Sequence, residues 1–406
     1  MKNRIAIREE FLSKVLSTAQ PVQLSKFGDP DFSFINSRDF FHGNYQQNWL
    51  VNHILVADQP AILGGSKKVL KTSILVDLAV SLGTDTKFLG QFQCEDYLRV
   101  GLISGESGKS TLQETFRRVC KARGIHEPEL VGVYWSFRMP QLSMREDLDF
   151  LRGEIEKNEL DVIILDPLYL GLLSGNSSAS ASNLFDMGPL LAALSETCLS
   201  AGATPIIAHH ARKNLGNHYG KNDTSSSEPP ELEDLAFSGI QEFARQWLLI
   251  GRREKYEPGS GFHKLWLNVG GSAGHSGCWA LDIDEGQLRE DFGGRKWDVT
   301  IRTATDERSA VSEKKEAEKK AKEDEAKIQN RQRVMKVLQT VPNGETMTQI
   351  SGLAGMRKQK VQETLDHLIR EGCVDRCDVE KPSGRSGSRK YPGFRQCWQL
   401  RGSEFP

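Results

Sequence analysis

Ala61-Ile62-Leu63-Gly64-Gly65-Ser66-Lys67-Lys68-Val69-Leu70-Lys71-Thr72-Ser73 is the stretch on which the fold turns. A short apolar run stops at two glycines and a polar turn follows. Ile74, Leu75, Leu78, Ala79 and Leu82 then recur along one face of a helix. Strand, glycine-rich loop and helix are the layout that cradles phosphate, because successive backbone N–H groups and the helix N-terminus converge on the anionic oxygens. Set beside G-x-x-x-x-G-K-[ST], the motif runs from Gly65 to Thr72, with Leu70 where the second glycine belongs. The expected phosphate contacts are therefore Gly64, Gly65, Ser66, Lys67, Lys68, Val69, Leu70, Lys71, Thr72 and Ser73. Lys71 is expected on the β/γ oxygens and Thr72 on Mg2+. A rival, Ser104 to Thr111, keeps Gly108-Lys109-Ser110 but has Ile103 at the first-glycine position.

Outward from this loop, residues 50 to 300 alternate short β-rich runs (Ala61 to Leu63, Leu98 to Ile103, Val162 to Leu165, Pro205 to Ala208) with amphipathic helical stretches. That alternation predicts an α/β domain with a parallel sheet and crossover helices. Asp161 to Asp166 is a buried strand ending in an acid, the place from which a carboxylate can hold magnesium beside the phosphates. Glu106 stands at the end of the Leu98–Ile103 strand, where it can polarise an attacking water. Ala203 to Ala208 runs into His209-His210-Ala211-Arg212-Lys213. Adjacent histidines on a strand point to opposite faces, which makes them a poor zinc pair and leaves one of them able to sense a phosphate. Ser238-Gly239, the strand Trp247 to Ile250 and the pair Arg252-Arg253 follow. Two long polar stretches, Ser174 to Asn183 and Asn214 to Asp234, interrupt the pattern as loops.

The chain has 406 residues, 38% hydrophobic and 26% charged, which sets it apart from a fully disordered chain and implies two or three domains. Its longest aliphatic runs are strand-sized, far short of the roughly 20 apolar residues a membrane helix needs. With no secretory signal and seven scattered cysteines lacking any Cys-x-x-Cys, it reads as cytoplasmic with reduced thiols. No internal repeat is visible, and residues 1–45 form an extension with little signal.

Taken together, Gly65 to Thr72, Glu106, Asp166-Pro167, His209 to Lys213, Ser238-Gly239 and Arg252-Arg253 resemble the RecA/DnaB-type core of AAA family ATPases related to plasmid RepA replicative helicases. The likeness covers residues 50 to 285. It implies a RecA-like P-loop ATPase that uses ATP and Mg2+, in which Glu106 activates water and a histidine at the fourth strand senses the γ-phosphate. Basic residues such as Arg252 or Arg253 would reach into a neighbouring subunit of an oligomer, in its fullest form a hexameric ring. That core places a further strand, ending in the catalytic Glu, between the phosphate loop and the Walker B strand. Only Lys71 leaves room for it. The loops 174–183 and 214–234 would line the channel of such a ring, yet the second holds five acids against Lys221 alone, poor for gripping DNA.

Glu313 to Lys327 has twelve charged residues of fifteen, the rest alanine, and Glu316/Lys320, Glu318/Lys322 and Glu323/Lys327 have the spacing that supports a lone solvated helix. It reads as a spacer, giving an ATPase domain at 46–300, a helical linker at 301–327 and a C-terminal module at 328–406. The module is expected to hold helices at 328–341, from Thr346 and at 356–371, then a hairpin, which resembles the winged helix-turn-helix fold. Arg357, Lys358 and Lys360 on its third helix and Arg385, Arg389 and Lys390 on its wing are the expected DNA contacts. Residues 328–406 hold fourteen Lys+Arg and eight Asp+Glu, a net of +6, so the overall −1 leaves −7 on the rest. The expected function is an ATP-hydrolysing DNA-processing factor of helicase or replication type. A non-enzymatic, ATP-gated DNA-binding regulator is the alternative.

Overall fold

The computed structural model describes residues 34–127, 131–172, 184–211, 228–236, 239–291, 293–383 and 387–397. The chain divides into two compact units, Met1–Asn48 and Trp49–Pro406. In the first, α1 (Ser37–His42) is capped by the Asn36 side chain, which accepts from the Asp39 N–H at 3.0 Å. Arg212, Lys213, Ser238, Arg385 and the loop 174–183 lie outside the described residues, as do positions 214–227.

The second unit begins with the hairpin β1 (Trp49–Val51) and β2 (Leu55–Val56). Then come β3 (Ala61–Gly65), α2 (Lys71–Leu82), β4 (Val100–Ser104), α3 (Lys109–Ala122), β5 (Val133–Ser136) and α4 (Arg145–Asn158). They are followed by β6 (Val162–Asp166), α5 (Tyr169–Leu172), α6 (Leu184–Ser200), β7 (Thr204–His210), α7 (Ile240–Phe243) and β8 (Gln246–Arg252). Three long strands close the sheet: β9 (Phe262–Gly271), β10 (Ser276–Gly286) and β11 (Arg295–Thr303).

Nine strands form one sheet in the order β11-β10-β9-β8-β3-β7-β6-β4-β5. From β8 to β5 all pairings are parallel, whereas β8 to β11 run antiparallel. The expected parallel sheet with crossover helices is present, and three antiparallel strands extend it, because the residues after β8 turn back as hairpins with no crossover helix. Apolar side chains alternate between two cores, Leu63, Ile206 and Ala208 on one side and Ile62 and Ile207 on the other. Each fully buried aliphatic contributes about 1.5–3 kcal/mol. The periodicity of α2 predicts one buried face. The helix is instead buried on nearly all sides, from Ile74 through Leu82, because β11 and α3 cover what would otherwise be its outer surface.

The charged spacer and the first C-terminal helix are one element, α8 (Ala304–Thr340), 37 residues long and capped by Thr303. This corrects the separation at 327, since nothing in the sequence there breaks a helix. The ion pairs along its middle run Lys314–Glu318, Lys319–Glu323 and Lys327–Asp324. Its last turns pack with α9 (Met347–Ala354) and α10 (Lys358–Arg370) through Val334, Leu338, Ile350, Val361, Leu365 and Leu368. A small sheet of β12 (Glu345–Thr346), β14 (Gly387–Gln396) and β13 (Val374–Ser383) completes this α+β module.

Candidate nucleotide site

Strand β3 ends against β8, and a Cβ on Gly65 would lie 2.5 Å from the carbonyl oxygen of Ile250, so only glycine lets the loop leave the sheet there. Val69 is fully buried and Leu70 packs against the same core. Leu70 has φ 63° and ψ 24°, the left-handed region in which the motif's glycine would be at ease. A side chain there costs roughly 1–2 kcal/mol, offset by the burial of the isobutyl group. Leu70 thus explains itself as an anchor of the loop. At the other end, Lys71 opens α2.

Lys71 is 7% exposed. Its Nζ donates to the carbonyls of Gly65 (3.0 Å) and Ser66 (2.8 Å) and stands 3.1 Å from His210 Nδ1. Burial lowers its pKa from 10.5 to about 8, against the pull of Asp166 and Glu106. A triphosphate would restore the ammonium's preference. Nucleotide affinity should therefore be flat below pH 8, where Lys71 is already protonated, and fall about tenfold per unit above it, where binding must first recover a proton. Titration of a fluorescent ATP analogue between pH 7 and 10 checks this. An affinity constant across that range would refute it.

The Thr72 hydroxyl donates to Asp166 Oδ2 at 2.6 Å. Asp166 is 5% exposed, and burial holds its carboxyl above the usual range, opposed by the Thr72 bond and the Lys71 charge. This hydroxyl and carboxylate fit magnesium, which takes oxygen ligands, keeps several waters and needs few protein groups when phosphates supply the rest. Strands β4 and β6 pair Ser104 with Asp166, and the Gly105 N–H donates to the Asp166 carbonyl at 2.9 Å. Glu106 is thereby brought to the same edge of the sheet, in an open cleft of about 540 Å³ shared with Lys67, Lys68, Tyr169 and His210.

The two histidines separate as strand alternation requires. His210 meets Lys71. His209 is 1% exposed, its Nε2 lies 2.8 Å from the Ala236 carbonyl, and burial lowers its pKa to about 4. It stays neutral and ties β7 to the segment before Gly239, while His210 is the one that meets Lys71.

Arg253 does not reach outward. Its guanidinium, 1% exposed, is paired with Asp282 and Glu307 and lies over the Trp266 ring, which makes it a buried brace between β8, β10 and the root of α8. Arg252 donates to the Lys68 carbonyl at 2.7 Å and sits over the Tyr256 ring. Lys109, at the N-terminus of α3, is exposed with its ammonium 5.3 Å from the Phe137 ring centre.

In the C-terminal module Arg357, Lys358 and Lys360 are exposed around the start of α10. The hairpin pairs Lys381 with Arg389 and Glu380 with Lys390. Cross-strand partners share a face and neighbours alternate. Arg376, on the Glu380 face, pairs with Asp366 of α10 at 3.8 Å. Arg389 and Lys390 are neighbours on β14 and so alternate across the hairpin.

Sequence reading missed Tyr169, whose hydroxyl bonds to Glu106 and whose ring lies 5.8 Å from that of His210. It stands three residues beyond Asp166, on a helix too short to announce itself by periodicity.

Residues 30–216 match the family model of an AAA domain. This span carries the phosphate loop, Glu106, Asp166 and both histidines. The match covers less than half of the chain. A solved structure titled as a DnaB-like replicative helicase and its interactions with primase aligns over 73% of this chain and 76% of that one, with 11% identity and a TM-score of 0.42. No curated protein matches the chain. Among the described residues no helix is long and apolar enough to cross a membrane.

Proposed function

We propose that the chain binds and hydrolyses Mg-ATP and works on DNA, in the manner of a helicase or replication factor acting as an oligomer in the cytoplasm. One observation carries the reading: Lys71, the Thr72–Asp166 pair, Glu106 and His210 converge at the C-terminal ends of adjacent parallel strands, although 139 residues separate Lys71 from His210. Open α/β sheets bind ligands at that edge. The N–H groups of the loop and the N-terminus of α2 would receive the phosphates, with Lys71 leaving its loop carbonyls for the β/γ oxygens. Thr72 and Asp166 would hold magnesium, which neutralises charge on the phosphates. Glu106 would orient and deprotonate water for in-line attack, and His210 would follow the departing phosphate.

The DNA half of the reading rests on the basic start of α10, with Arg357, Lys358 and Lys360, in a module of net charge +6 joined to an acidic core. The decisive measurement is ATP turnover by the full chain with and without single- and double-stranded DNA. Stimulation is expected. Nucleotide-dependent DNA binding without turnover would favour the gated regulator instead. Charge reversal of Lys358 and Lys360 should weaken duplex binding at every sequence and flatten its salt slope by about 0.9 for each phosphate no longer neutralised. An unchanged slope would remove α10 from the interface.

A further inference from the structure

We infer that Tyr169 is the residue that positions Glu106 for attack on the γ-phosphate, a role that rests on the hydrolytic reading above. Glu106 is an exposed carboxylate at the tip of β4, and among the described residues its side chain has one hydrogen-bond donor, the Tyr169 hydroxyl. A carboxylate free to rotate would spend little time aimed at a water, and misplacement by an ångström can lower a rate by two orders of magnitude. Tyr169 removes that freedom on the side where it matters. Its ring leans on His210 at 40° between planes, and His210 in turn touches Lys71. The phenol thus fixes Glu106 against the two groups that face the outer phosphate.

The origin of Tyr169 strengthens the assignment. It opens α5, whose chain has just left Asp166, and the Leu168 N–H donates to the Ala208 carbonyl of β7 at 3.0 Å. The backbone carrying the tyrosine is therefore pinned to the strand that carries His210 and to the strand that carries Asp166. The phenol titrates above the ordinary tyrosine range, chiefly because its proton is held by Glu106, so it remains a donor at neutral pH.

The test compares Tyr169→Phe, Glu106→Gln and the double variant in the full chain, measuring kcat, KM and ATP affinity. Tyr169→Phe keeps the ring on His210 and deletes only the hydroxyl. It should lower kcat about tenfold and leave ATP affinity within about twofold, because the bond is made to the base and not to the nucleotide. In a Glu106→Gln background the same change should do nothing more, whereas a merely structural tyrosine would give additive losses. A wild-type rate in Tyr169→Phe beside a slow Glu106→Gln overturns the role of Tyr169 alone. Equal losses in affinity and rate overturn it too. Absence of turnover in the wild-type chain overturns the hydrolytic reading, and this role with it.

Discussion

Lys71→Ala should abolish ATP turnover, by about a thousandfold or more, while Lys109→Ala leaves it largely intact. Both lysines open a helix after a strand, and each motif lacks one glycine. Their surroundings differ. Lys71 is buried at the foot of β3 on the carbonyls of its own loop, next to His210 and one residue from the Thr72–Asp166 pair. Lys109 follows β4, which β7 and β6 separate from β3. At about 4.8 Å per strand that is roughly 14 Å, too far for both ammonium groups to serve the same phosphates. Lys71→Ala also leaves the Gly65 and Ser66 carbonyls without their donor and the buried Asp166 without its neighbouring cation, so the variant must first be shown to be folded. Circular dichroism and a turnover assay on the two variants decide the matter. Inactive Lys109→Ala beside active Lys71→Ala would move the site to α3.

What could be read in the sequence were the parts governed by local rules. Alternating apolar runs located β3, β4, β6, β7 and β8, and a glycine pair beside a lysine located the loop. The strand order that brings His210 to Lys71 follows from tertiary packing, but alternation alone required the two histidines to diverge. It left undecided which of them met the loop. Arg252 and Arg253 looked equivalent as a basic pair after a strand. Burial separates them, since one faces the loop and the other meets Asp282 and Glu307, acids 29 and 54 residues away that no local pattern connects. The spacer's charge was legible. Its fusion with the first helix of the C-terminal module carries no signal of its own, because a helix continues wherever no glycine, proline or cap stops it.

Asp77→Ala should destabilise the chain by about 3–5 kcal/mol, the largest stability effect expected from a residue outside the loop. Asp77 lies on α2 between apolar neighbours and is fully buried. Its Oδ1 accepts from the Leu89 N–H at 2.8 Å and the Ser81 hydroxyl at 3.3 Å. Its Oδ2 accepts from Trp297 Nε1 at 2.5 Å and is ion-paired with Arg123. One carboxylate thus fastens the helix that carries Lys71 and Thr72 to β11, to the end of α3 and to the turn after α2. Alanine would leave a largely buried guanidinium and an indole N–H without their acceptor, and such orphaned groups are costlier than the loss of the bonds themselves. Asn keeps one acceptor oxygen and should cost less, so the order of urea midpoints is wild type, Asp77→Asn, Asp77→Ala at similar m. On the proposed reading ATP binds only the folded chain, so nucleotide at a hundredfold over its Kd should return about 2.7 kcal/mol to each variant. An Asp77→Ala midpoint equal to wild type would show that the helix is held by its apolar contacts alone. Failure of ATP to shift any midpoint, the wild type's included, would show that the folded chain does not bind it.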